Sequence, residues 1–291
     1  MRLSLLSAAC AAMFATAAGA ATVVTQTGPN SVRADFSLTD AAGKTYAGAF
    51  FLEFTSPIGL TPANLNVQAR LVDPADPALQ ARLPIGGSVG VPAAFPVLVS
   101  VDPLLGSGFG FRDVASVEMY TKALPFSTGS QFRLVRSPKN GAFAEVTTDI
   151  QPGSIRMRAR TGHFSDFLVV RDERSSAAVA TDLYARLSAK LQDDDVPAGT
   201  ASLLGVEIDH SFEEFLEGDY EDAREELDAF ELIVGAESGV SLPNQWRAQR
   251  DLDNVAGTLA ADALALDFLL QRLAAEGSGS GDDDGDDGDD D

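Results

Sequence analysis

Serine, histidine and carboxylate residues stand at four places where their spacing suggests chemistry. Gly86-Gly87-Ser88-Val89-Gly90 satisfies the G-x-S-x-G pattern of a hydrolase nucleophile elbow, which needs a strand before the serine and a helix after it. Pro84 precedes the motif and Pro92 and Pro96 follow it, so that helix cannot start, and a glycine-rich loop is expected. His163 and His210 are the only histidines available as a base for Ser88. His163, Ser165 and Asp166 have the residue types of a triad, but along an extended strand Ser165 shares a face with His163 while Asp166 points away. A hydrogen-bonding histidine at a strand edge is expected instead. His210 has Glu214 one helical turn on, where the two could share a metal ion; two ligands make an incomplete site, and a solvated histidine is the expectation. Asp282, Asp284 and Asp286 repeat oxygen ligands around Gly285 as calcium loops do, without the closing bidentate glutamate. Weak calcium binding is the most they imply, and no other cofactor is expected.

The elements that must position these residues change type partway along the chain. Ser31 to Leu38 and Gln131 to Val135 alternate apolar and polar residues as half-buried strands do, whereas Phe50 to Phe54 and Pro96 to Val101 have the continuous apolar character of strands buried on both faces. Turn residues at Asp40 to Lys44, Asp102-Pro103, Ser137 to Gly141 and Gln151 to Gly153 separate them at hairpin-like intervals. No crossover helix lies between the strands, so an antiparallel β-sandwich is expected over residues 21–171. Its clearest hairpin pairs Ser154 to Arg160 with His163 to Val170 across Thr161-Gly162. Period two there puts Ile155, Met157 and Ala159 on one face and Arg156, Arg158 and Arg160 on the other, a basic stripe that is either a solvated face or a strip for docking the acidic second domain.

From Ser175 onward, apolar residues recur at helical spacing. Val179, Leu183, Leu187 and Leu191 mark a first helix after the caps Ser175-Ser176, and Leu203, Leu204, Ile208, Phe212, Phe215 and Leu216 a second that ends at Gly218. Asp219 can cap a third, with Tyr220, Ala223, Leu227, Phe230 and Val234 on its face. A long fourth helix carries Trp246, Leu252, Val255, Leu259, Leu266, Leu270 and Leu273. The fold class is therefore α+β in separate domains, with an antiparallel four-helix bundle over residues 172–276 and an acidic Asp/Gly tail over 277–291 that has no apolar residue to bury and is expected to be disordered.

Charge divides at the same boundary. Residues 21–171 hold 13 Lys/Arg against 11 Asp/Glu, and residues 172–291 hold 7 against 32, so the net charge of −22 belongs to the second half. That balance argues against nucleic acid as a partner, and the acidic residues from Asp209 to Glu231 are expected to form a solvated face. Arg2, an alanine-rich apolar stretch and Ala18-Gly19-Ala20 compose an export signal over residues 1–20, whose removal takes away Cys10, the only cysteine. After cleavage the chain is expected to be exported, periplasmic or extracellular, monomeric and not integral to a membrane.

Phe212-Glu213-Glu214-Phe215-Leu216-Glu217-Gly218-Asp219-Tyr220, then Ala223, Leu227, Ala229-Phe230 and Val234, and later Leu252 and Leu259, resemble the FIMAH domain, a small helical module of secreted bacterial proteins without an assigned catalytic role. Phe54-Thr55-Ser56-Pro57, Leu60-Thr61-Pro62-Ala63-Asn64-Leu65 and Gly162-His163-Phe164-Ser165-Asp166-Phe167 resemble a family of uncharacterised exported proteobacterial proteins. Neither resemblance supplies catalytic residues. Asn244-Gln245-Trp246-Arg247 departs from the helical module's pattern. The expected function is a non-enzymatic envelope or extracellular interaction protein with a protein or glycan partner. The alternatives are a secreted hydrolase using an Asp/Glu pair and a calcium-dependent adhesion module.

Overall fold

A computed structural model describes residues 21–84, 88–127, 129–151 and 154–278. In chain order its first elements are β1 (Ala21–Gly28), β2 (Ser31–Thr39), β3 (Thr45–Ile58), α1 (Pro62–Leu65), β4 (Val67–Leu71), α2 (Pro77–Gln80), β5 (Val89–Gly90), β6 (Val97–Val101) and β7 (Gly110–Thr121). They are followed by β8 (Phe132–Ser137), β9 (Ala144–Glu145), β10 (Thr147–Gln151), β11 (Ile155–Thr161) and β12 (Asp166–Asp172). The helical half contributes α3 (Ser176–Lys190), α4 (Ala198–Glu217), α5 (Tyr220–Glu237), β13 (Gln245–Arg247) and α6 (Val255–Ser278). Among the described residues, two antiparallel sheets and six helices make a mixed α and β fold.

One sheet runs β1-β2-β3-β7-β11-β10 with β13 beside β7, and the other runs β4-β6-β12-β8-β9 with β5 beside β12. Their inner faces meet in one apolar core, where the Phe50 and Phe167 rings lie 5.1 Å apart. Period two sets which residues enter it: Val32, Ala34, Phe36 and Leu38 of β2 are all buried. In β3 the run Phe50 to Phe54 is not buried on both faces as expected, because Glu53 is exposed and Phe51 is half-buried, with the Arg33 guanidinium 4.6 Å from its ring. β6 does keep both faces dry. Val97, Val99 and Val101 enter the main core, and Leu98 meets Leu79, Leu83, Val89 and Val91, which the segment containing α2 lays over the outside of the sheet.

The expected hairpin of residues 154–170 does not form. β11 pairs with β7 and β10, whereas β12 pairs with β5, β6 and β8, so Thr161-Gly162 carries the chain from one sheet to the other. The physical reason is the start of α6, which presses on this crossover. A Cβ on Gly162 would lie 2.5 Å from the Thr258 amide nitrogen and 2.6 Å from the Gly257 carbonyl carbon, so only glycine fits.

α3, α4, α5 and α6 bury their apolar stripes in a second core, with Leu183, Leu187, Ile208, Leu227, Phe230, Leu259 and Leu266 inside it. The Ser175 hydroxyl caps α3 by accepting from the Ala178 amide, but Asp219 makes no capping hydrogen bond from its side chain. The long fourth helix expected to carry Trp246 begins only at Val255. Trp246 lies instead on β13, paired with Phe111, and its indole joins the rings of Phe109, Phe111 and Phe164 at 5.6–6.2 Å. Five aromatic rings including Phe54 thus outweigh whatever helical tendency the local sequence has. No helix among the described residues is long and apolar enough to cross a membrane.

Candidate functional site

A network of polar side chains centred on the buried Asn254 lies where α6 and β13 meet the sandwich. Asn254 precedes α6 and is fully buried. Its Oδ1 accepts from the Gly257 amide, the N-capping bond that first-turn amides require, while its Nδ2 donates to the Asp113 carbonyl at 2.5 Å and the Gly162 carbonyl at 3.0 Å. One amide therefore joins the helix to two backbone segments of the sandwich. Asp113 ends the stretch of β7 that pairs with β13, in a left-handed conformation at φ 58°. Its carboxylate accepts from Ser238 at 2.8 Å and Asn244 at 3.1 Å, and its amide donates to the Asn244 carbonyl, fixing the loop before β13.

His163 sits beside this staple. Its Nε2 faces Arg136 Nη1 and its Nδ1 lies 3.4 Å from Thr258 Oγ1, which in turn donates to the Asn254 carbonyl. Arginine can only donate, so Nε2 must hold a lone pair and Nδ1 the proton. The neutral tautomer is thereby fixed. Burial and the charges of Arg136, Lys190 and Arg186 hold the imidazole pKa well below the usual histidine value. Burial also pushes Arg136 down to about 10, which leaves it charged at neutral pH. A cavity of about 290 Å³ opens here between the sandwich and α3. Its carboxylates are engaged by cations: Asp262 accepts from Arg186 at 2.8 and 3.0 Å, and Lys190 lies 2.9 Å from Asp253 and 3.0 Å from Asp193. Arg186 also donates to the Glu145 carbonyl at 2.8 Å, tying α3 to β9. The Glu145 carboxyl is raised by burial, opposed by Arg133, and one of its oxygens has no hydrogen-bond partner.

The residues singled out by spacing are dispersed. Ser88 leads into β5, a strand rather than the helix an elbow needs, and its carbonyl accepts from the Glu173 amide; Gly86 and Gly87 lie outside the described residues. Asp166 accepts from Ser100 at 2.7 Å and Arg82 at 3.0 Å, away from the partners of His163, so the three neighbours in sequence form no triad. Arg156, Arg158 and Arg160 do not face the helices. Arg156 and Arg158 reach Glu118 at 3.5 and 2.9 Å, Arg158 also reaches Asp149, and Arg160 bonds Ser116, all within the same sheet. The reason is cross-strand register: Arg158 stands directly opposite Glu118 on β7. Arginine contacts between the helices and the strands come instead from Arg186, on the Glu145 carbonyl, and from Arg272, which donates to the Ser130 carbonyl at 2.9 Å. Asp282, Asp284 and Asp286 lie outside the described residues.

His210 is grouped not with Glu214 but with Glu207 on its own helix and Glu226 on α5. Glu231, also on α5, has its carboxyl pushed up to about 7 by partial burial and the nearby Asp267 and Asp228. Asn254 was open to detection as a capping residue before an apolar helical run. Arg133 and Arg136 were visible as charges inside the apolar strand β8, but nothing local names their partners.

A family model described as a family of unknown function (DUF6689) matches residues 5–274. The chain belongs to that family. The DUF6689 match runs through both sheets and all but the last residues of α6, so the staple at Asn254 lies inside it. No curated protein matches the chain. Among solved structures, one chain of "The structure of CBM51-2 in complex with GlcNAc and INT domains from Clostridium perfringens ZmpB" aligns with 74% of this chain and 52% of its own, at 11% identity and a TM-score of 0.18. A likeness that slight bears on neither fold nor ligand.

Proposed function

We propose that this chain is an exported, non-catalytic protein of the periplasm or extracellular space, in which a sandwich of residues 21–171 holds a four-helix module of residues 172–276 as an interaction element. The observation that carries the reading is the contrast between α6, which packs on β7, β10 and β11, and the α4–α5 hairpin, which packs on other helices. That hairpin exposes Leu203, Val206, Leu216 and Leu232, the last two 67% and 75% exposed, among thirteen acidic residues and a single arginine, Arg224. Scattered exposed leucines on an acidic surface fit a protein partner whose face is basic and partly apolar. The signal over residues 1–20 and the FIMAH resemblance of the helices support the exported setting. His163, Asp166 and Asp262, three groups of the types that acid–base chemistry uses, are each engaged by structural partners.

Photo-crosslinking from Leu203 and Leu232 in the whole protein, in its native envelope, tests this reading. A single protein captured from the hairpin, and not from the outer face of β2, is the expected result. Capture of glycan, or a hydrolase turnover lost in Ser88→Ala or Asp166→Asn, would overturn it.

A further inference from the structure

The α4–α5 hairpin brings together three side chains of metal-ligating type. Glu207, His210 and Glu226 each place one ligand atom within 4.8 Å of the other two. We propose that they form a binding site for a divalent transition-metal ion of the zinc class, which staples α4 to α5. The inference stands whether or not the hairpin docks a partner.

Helical spacing supplies two of the ligands. Glu207 and His210 are three residues apart and share a face of α4, flanking the buried stripe of Leu204, Ile208 and Ser211. Glu226 enters from α5 beside Leu227, which faces that stripe from the other side. Zinc–nitrogen and zinc–carboxylate bonds of about 2.0–2.2 Å put neighbouring donors of a tetrahedral site roughly 3.4 Å apart, a distance that rotation of three surface side chains reaches. Three protein ligands leave one position for water. Calcium and magnesium prefer all-oxygen shells, so the imidazole selects for a borderline metal.

The charge arrangement calls for a cation. Glu207 and Glu226 bring carboxylate oxygens within 4.8 Å of each other between α4 and α5, so their negative charges oppose one another. α4 carries no lysine or arginine, and Arg224 on α5 is engaged by Glu221 at 2.8 Å and Asp267 at 2.7 Å. A divalent ion held between them neutralises both carboxylates. The neighbouring group of Glu214, Glu217 and Asp219 contains no histidine and is left out of the proposal.

The test uses the full chain stripped of metal with a chelator, with Glu207→Gln, His210→Ala and Glu226→Gln alongside, titrated with ZnCl2 and, separately, CaCl2. One zinc per chain is expected, with a melting temperature raised by roughly 5 °C at a hundredfold excess over the dissociation constant. Each substitution is expected to weaken zinc binding by at least about tenfold, since loss of even an outer-shell partner costs that much. The visible spectrum of bound Co2+ should show a nitrogen donor that disappears in His210→Ala. Any cation binding by the aspartate tail or Cys10 is common to all four proteins and does not separate them. An equal zinc response in wild type and His210→Ala, or an equal response to calcium, overturns the proposal. Should a variant fail to fold by circular dichroism, the wild-type Co2+ spectrum decides, and absence of a nitrogen donor overturns it.

Discussion

At the junction of α6 with the sandwich, Asn254, His163, Asp113 and Arg186 each meet partners from another part of the chain, and Trp246 is buried among phenylalanines. On the α4–α5 hairpin the opposite holds: carboxylates face carboxylates, and leucines face solvent. The junction is built for cohesion and the hairpin is not. Helices of one half can thus differ in role, because α6 has the sandwich as a neighbour and the hairpin has mainly other helices.

Substitutions should separate the two regions in order of effect. Trp246→Ala removes the ring that closes the aromatic cluster and should cost about 3–5 kcal/mol, read as a large drop in melting temperature. Asn254→Ala leaves two buried carbonyls and the Gly257 amide without their partner and should cost roughly 2–4 kcal/mol. A loss below about 1 kcal/mol for either would make the junction incidental.

The two regions should also respond to acid with opposite sign. The depressed pKa of His163 means that the folded state resists protonation. Its stabilisation is complete above pH about 6.5, the unfolded histidine value, and is lost as pH falls below that. His163→Gln keeps an acceptor for Arg136 and a donor for Thr258, and should flatten the fall in chemical-denaturation midpoint below pH 6.5. Glu145, raised by burial, acts in the other direction, so the comparison of variant with wild type isolates the histidine. Glu231 has a raised pKa of about 7, so its ionisation destabilises the fold increasingly between pH about 4.5 and about 7. Glu231→Gln should therefore raise the melting temperature at pH 8 and not at pH 4.5, by only about 1–3 °C because the group is partly solvated. A larger effect at acid pH would reverse the assignment.

The sequence made α3, α4 and α5 legible because their apolar residues recur at helical spacing over many turns. It did not make β13 legible, since three residues give no period and Trp246 also fits the spacing of the following helix. The crossover at Thr161-Gly162 has the same local signal as a hairpin turn, and the choice of sheet depends on α6, nearly 100 residues later. His163 was expected at a strand edge, but its partners Arg136 and Thr258 lie 27 and 95 residues away. The spacing expected Glu214 as the neighbour of His210, whereas Glu207 and, across the helix pair, Glu226 are grouped with it, and Glu226 lies outside any local period.

The central claim is that β13 and the start of α6 belong energetically to the sandwich. Native-state hydrogen exchange tests it at the Ala248 amide, which donates to the Phe109 carbonyl, and at the Thr258 amide, which donates to the Asn254 carbonyl. The account predicts opening free energies equal to those of the β7 core amides, with α4 and α5 exchanging at lower cost. Ala248 and Thr258 exchanging together with α4 and α5, while β7 stays protected, would contradict it.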